Sequence, residues 1–113
     1  MIETRKVDRI SSKNVIRYWT HDRSMMISQI ENLSENGVSI RMGKAYHQDT
    51  PVYVQMRNPV NLSQTIFLKG QIKHQEKDVD SDLYKTGIEI TEMHEKDKKK
   101  FINLIDFYKN QVQ

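Results

Sequence analysis

Apolar and polar residues alternate along most of the chain, and the period lengthens only toward the C-terminus. Val15, Arg17 and Trp19 alternate with Ile16 and Tyr18, which predicts a first strand. Residues 25–31 (MMISQIE) make a second, less regular one. In GVSIRM, Val38, Ile40 and Met42 share one face while Ser39 and Arg41 share the other. PVYVQMR sets Val52, Val54 and Met56 against Tyr53, Gln55 and Arg57. TIFLKGQIK sets Ile66, Leu68, Gly70 and Ile72 against Phe67, Lys69, Gln71 and Lys73. In LYKTGIEIT, Tyr84, Thr86, Ile88 and Ile90 fall together. One apolar and one polar face is the mark of antiparallel strands covered on a single side.

Turn-rich stretches separate these strands: HDRS at 21–24, SENG at 34–37, RNPVN at 57–61 and EKDVDSD at 76–82. Six short strands in this arrangement predict a small barrel or sandwich. Closure is favoured because a small open sheet leaves two hydrogen-bonding edges exposed. Gly70 and Gly87 interrupt strand patterns, where glycine marks a bulge or a corner. From about His94 the period is helical, with Phe101, Leu104, Ile105 and Tyr108 on one stripe and Ile102 widening it. Glu95 and Asp97 in the first turn and Lys109 near the end suit the helix dipole. KDKKK at 96–100 reads as the solvated face of that helix rather than a nucleic-acid patch. The expected organisation is one domain, all-β with one helix: residues 1–13 a flexible basic arm, 14–93 a six-stranded antiparallel β-barrel, and 94–113 a C-terminal helix.

With 113 residues there is room for one domain. The chain has no cysteine, which removes disulfides, thiol nucleophiles and Cys-ligated metal centres. No apolar run is long enough to cross a bilayer, and the N-terminus lacks a secretory apolar core, so a cytoplasmic location is expected. Charge is unevenly placed. All six arginines lie in the first 57 residues, which carry nine basic and six acidic groups, whereas residues 58–113 carry nine of each. Arginine forks match phosphate and the O6/N7 edge of guanine, so an anionic, planar-edged ligand would be read by the N-terminal half.

Catalysis finds no support. The four histidines, His21, His47, His74 and His94, are 26, 27 and 20 residues apart, without metal-ligand spacing. There is no nucleophile elbow, and four glycines leave no glycine-rich phosphate loop. The chain is therefore expected to be no enzyme, with no metal and no cofactor beyond a bound ligand.

Two Asn-x-Ser triplets occur, at Asn32–Ser34 and Asn61–Ser63, but only the first continues to a glycine, giving N-L-S-E-N-G with Gly37. Asn32 carries a donor and an acceptor, Ser34 a hydroxyl, and Gly37 permits positive φ or a close backbone approach. Such a turn between strands can present polar groups to the edge of a flat heterocycle. Taken alone it is also an ordinary Asx-type turn with a glycine exit. Arg5-Lys6-Val7-Asp8-Arg9 adds two guanidinium groups four residues apart on the arm, able to bracket one bulky anion. Each pattern is weak by itself; their chance co-occurrence is of order one in a hundred before spacing is considered.

Together these residues resemble the PilZ family, bacterial receptors for the second messenger cyclic di-GMP. RKVDR matches the family's RxxxR and NLSENG its [D/N]xSxxG. GVSIRM, LKGQIKH and TGIEITEMHEKDKKKFINLI are similar to the strands and closing helix that follow. The resemblance implies a six-stranded antiparallel barrel with a terminal helix. It implies that Arg5 and Arg9 contact phosphate and the guanine O6/N7 edge, that Asn32 and Ser34 bond the other guanine edge, and that Gly37 lets the turn fit beneath. Lys6, Arg41 and His74 are second-tier candidates; Arg41 reads equally as an exposed strand arginine. Family members often carry a basic residue just before RxxxR, associated with an intercalated ligand dimer. Thr4 stands there, which leans toward one ligand per protein. His74 occupies a position where an aromatic is frequent.

The resulting expectation is a stand-alone receptor that signals to an unidentified effector protein, with motility, exopolysaccharide synthesis and transcription all open. Two rivals remain. One is an OB-like basic barrel for single-stranded nucleic acid, for which Tyr18, Trp19, Tyr53 and Phe67 would supply aromatic platforms, although in sequence no basic stripe interleaves them. The other is a PilZ-like adaptor that binds no nucleotide.

Overall fold

The computed structural model describes residues 10–11, 15–22, 25–57 and 64–111. Seven strands and one helix follow in order: β1 (Ile10–Ser11), β2 (Val15–Trp19), β3 (Met26–Ser34), β4 (Gly37–Met42), β5 (Pro51–Arg57), β6 (Thr65–Lys77), β7 (Tyr84–Glu92) and α1 (Glu95–Gln111). All pairings are antiparallel. β2 pairs with β3 and β5, β5 with β6, β6 with β7, β7 with β4, and β4 returns to β3. The six longer strands thus close a barrel, as the alternation and the edge argument anticipate, and one C-terminal helix follows it.

The inward positions are those the period of two assigns. Ile16 and Tyr18, Val38 to Met42, Val52 to Met56, and Ile66, Leu68 and Ile72 interdigitate in one core. α1 covers this core with Phe101, Leu104 and Ile105. Ile102 does not join it: at 46% exposure it lies outside the buried stripe. His94 caps the helix, its Nδ1 accepting the Lys96 amide at 3.2 Å. Lys96, Lys98 and Lys99 are solvated, while Lys100 donates to the Thr65 carbonyl at 3.2 Å and ties the helix to β6.

Two elements depart from the pattern reading. β1 pairs Ile10 with Leu33 and Ser11 with Asn32, a two-residue strand too short to show a period. β6 runs on to Lys77, because residues 74–77 continue to pair with β7 although they no longer alternate. Both strand glycines sit at irregularities. The β6–β7 register shifts between Lys69 and Gly70, and again between Ile72 and His74, opposite Gly87.

Candidate functional site

The N-L-S-E-N-G segment forms the β3–β4 hairpin, with Glu35 and Asn36 as its two-residue loop. A bulge between Ile30 and Asn32 shifts the phase of β3, so Leu33 turns inward and is buried while Asn32 and Ser34 face outward, partly exposed. Among the described residues no hydrogen bond engages the Asn32 or Ser34 side chain, so the hairpin does not depend on them as an Asx turn would. Gly37 serves close approach rather than positive φ. A Cβ there would lie 2.6 Å from the Ile88 carbonyl oxygen, and among the described residues only Asp49 has a positive φ, 69°. The Asn36 carbonyl accepts the Ile90 amide at 2.9 Å and fastens the hairpin tip to β7.

Strand register extends this face into a row. Asn32 pairs with Ser39, Ser39 with Gly87, and Gly87 with His74. Beside it runs Ser34, Gly37, Glu89 and Gln71. The row crosses three strand gaps, roughly 14 Å. The exposed His74 ring lies over Gly87, in the space that a side chain there would occupy. Ser39 enters the row only through pairing; its polar-face alternation with Arg41 in GVSIRM is the trace it leaves in sequence.

Arg41 lies one position further along the same outer face. Its Nε donates to Glu31 Oε2 at 2.5 Å and an Nη to Asp78 Oδ2 at 2.7 Å. The guanidinium thus clamps the β3 bulge to the turn after β6, and the Glu31 bond, foremost, raises its affinity for its proton. Asp78 also accepts the Asp80 amide at 3.2 Å. That bond, with the nearby Arg41 charge, holds its carboxyl below the usual carboxylate range against a smaller opposing effect of burial. Arg5, Lys6 and Arg9 lie outside the described residues. Ile10, which follows Arg9 directly, pairs with Leu33 between Asn32 and Ser34.

The aromatic residues weighed for nucleic acid divide. Tyr18 is 3% exposed and its hydroxyl accepts the Gly43 amide at 3.2 Å, whereas Trp19, Tyr53 and Phe67 sit on the outer side of β2, β5 and β6. Among the described residues no group of histidine and carboxylate side chains could hold a metal ion, and no helix is long and apolar enough to cross a membrane.

Comparison with curated protein sequences finds no significant match. Solved structures do match in fold. The Bacillus subtilis inhibitor of motility (MotI/DgrA) superposes with a TM-score of 0.77 at 16% identity, over 99% of this chain and 55% of that one. The chain therefore spans about half the length of MotI. The PilZ domain of CeSA from a cellulose-synthesizing bacterium gives 0.66 at 14% identity, covering 95% of this chain and 100% of that one. The PilZ domain of YcgR from Escherichia coli, solved with c-di-GMP, gives 0.68 at 11% identity over 97% and 95%. The PilZ domain family model matches residues 3–107, which includes both arginines of RxxxR, the hairpin motif, the closed barrel and most of α1. With motif, topology and family model in agreement over nearly its whole length, the chain belongs to the PilZ domain family.

Proposed function

We propose that this chain is a non-catalytic cyclic di-GMP receptor whose ligand lies along the outer row of β3, β4, β7 and β6. In this reading the Arg5 and Arg9 guanidinium groups take phosphates and guanine O6/N7 edges, and Asn32 and Ser34 take the opposite guanine edge. His74 borders the far end of the row. The carrying observation is that Asn32 and Ser34 face outward with side chains free of structural hydrogen bonds among the described residues, on the strand that pairs with the residue after Arg9. Family membership and the c-di-GMP seen with YcgR's PilZ domain support the choice of ligand.

Signalling in this proposal is the ordering of the N-terminal arm. Residues 1–9 lack the apolar periodicity needed to dock by burial, and ordering about ten residues costs on the order of 10 kcal/mol of backbone entropy. Charge-assisted bonds from Arg5 and Arg9 to one ligand, about 1.5–3 kcal/mol each, contribute to offsetting that cost, together with partners that the intervening backbone finds on the ligand. Binding and arm closure become one coupled event, and the closed arm changes the surface that a protein effector reads. NMR titration with cyclic di-GMP tests the placement. Amide shifts should concentrate at Asn32, Ser34, Ser39 and Gly87, and shifts confined to other faces would refute it.

A further inference from the structure

Glu31 is the extra residue of the β3 bulge. Ile30 pairs with Ile40 and Asn32 with Ser39, so β4 skips it. Among the described residues the other side of β3 offers it no strand partner either, because β2 pairs only as far as Gln29 and β1 only from Asn32. What reaches Glu31 is a side chain. Arg41 Nε donates to its carboxylate at 2.5 Å, and an Nη of the same guanidinium donates to Asp78 at 2.7 Å. Both ends of this bridge are seated. Ser28 Oγ donates to the Arg41 carbonyl at 2.6 Å. Asp78 accepts the Asp80 amide at 3.2 Å and the Ser81 hydroxyl at 3.4 Å, while its own amide donates to the Leu83 carbonyl at 2.9 Å and closes the turn.

The bulge decides which way the motif faces. Without it, the Ile30–Ile40 register would continue with Asn32 opposite Val38 and Leu33 opposite Gly37. Cross-strand partners share a face, and Val38 is buried. Asn32 and Ser34 would then turn into the core and Leu33 out to solvent. Burial of Leu33 selects the bulged phase. The ion pair with Arg41 fixes the unpaired residue itself, and with it the aim of the two polar side chains that follow.

We infer that Arg41 is the positioning residue of the nucleotide row: seated on Asp78, it pins Glu31 and so aims Asn32 and Ser34 at the ligand, without bonding the ligand itself. Two carboxylates already occupy its fork, which sets it apart from a guanidinium awaiting phosphate. The inference rests on the receptor reading of that row and deepens it. The sign of one effect separates positioning from direct contact. Removing the Glu31 carboxylate takes a negative charge from beside a ligand with two phosphates and frees Arg41, so electrostatics alone would tighten binding. Positioning requires that binding weaken.

Calorimetry with cyclic di-GMP on Glu31→Ala, Arg41→Met and the double variant is the test. Lys99→Met, at a solvated position on α1, controls for the lost positive charge. Glu31→Ala and Arg41→Met should each weaken binding by about tenfold. The double variant should bind no more weakly than either single one, because the two residues act as a unit. Lys99→Met should bind as wild type. Melting temperatures should move little, since half-exposed ion pairs add little to stability. In the ligand-free single variants, amide resonances of Asn32, Leu33 and Ser34 should shift while those of Val52–Met56 stay in place. Tighter or unchanged binding by Glu31→Ala, additive losses in the double variant, an equal loss in Lys99→Met, or unmoved Asn32 and Ser34 amides would each overturn the inference. Absence of cyclic di-GMP binding in the wild type would instead count against the receptor reading, and the ligand-free spectra would still decide whether Arg41 sets the bulge.

Discussion

The His74 imidazole occupies the place where Gly87 would carry a side chain, joining β6 to β7 across the outer row. Exposed at its position, the ring can swing aside. Gly87→Ala should therefore cost little stability while displacing His74. Gly37 and Gly70 differ, because a Cβ at Gly37 meets the Ile88 carbonyl at 2.6 Å and one at Gly70 the Glu89 carbonyl at 2.5 Å. Backbone cannot give way so cheaply, so Gly37→Ala and Gly70→Ala should each destabilise by about 1–3 kcal/mol in urea unfolding. Equal losses at all three glycines would contradict this packing.

Gly70 and Gly87 also show how far the sequence can be read. Their positions inside strand patterns point to bulges, and the pairing shifts beside them in β6 and β7. The strands over Gly37–Met42 and Pro51–Arg57 are legible to the residue because alternation runs unbroken between turn signals. β3 is legible only in part: the bulge after Ile30 inverts its phase, so the half carrying Asn32 and Ser34 does not continue the pattern of the first. The motif survives this because it depends on residue types at fixed spacing. What sequence could not supply is lateral order. Arg41 with Asp78, Ser39 with Gly87, and Trp19 with Tyr53 meet only because elements distant in the chain lie side by side. The apparent lack of basic residues among the aromatics disappears once β2, β5 and β6 lie side by side.

Asp78 predicts an acid limb of stability. Its carboxyl is depressed foremost by the Asp80 amide and further by Arg41. A depressed carboxylate contributes stability that is present above its unfolded value, about 3.9, and is lost as pH falls through the lower folded value. Thermal melts from neutral pH downward should show the wild type losing part of its stability below about pH 4. Asp78→Asn should lack that component, and an identical acid limb in both proteins would contradict the assignment.

Coupling of ligand to arm makes a separate prediction. Amide exchange over residues 4–9 should slow markedly when cyclic di-GMP is added, while amides of Val38–Met42, already laddered on both sides, should change less. An arm protected equally with and without ligand would contradict the switch even if the nucleotide bound tightly.

Calorimetric titration with cyclic di-GMP tests the receptor reading most directly, on wild type, Arg9→Ala, Ser34→Ala and Ser63→Ala, the last from the triplet that lacks the motif's glycine. The wild type should bind saturably, near one ligand per protein. Arg9→Ala should lose about 1.5–3 kcal/mol of binding, Ser34→Ala should bind more weakly with its melting temperature nearly unchanged, and Ser63→Ala should bind as wild type. No saturable heat with the wild type, or equal losses at Ser34 and Ser63, would contradict the account.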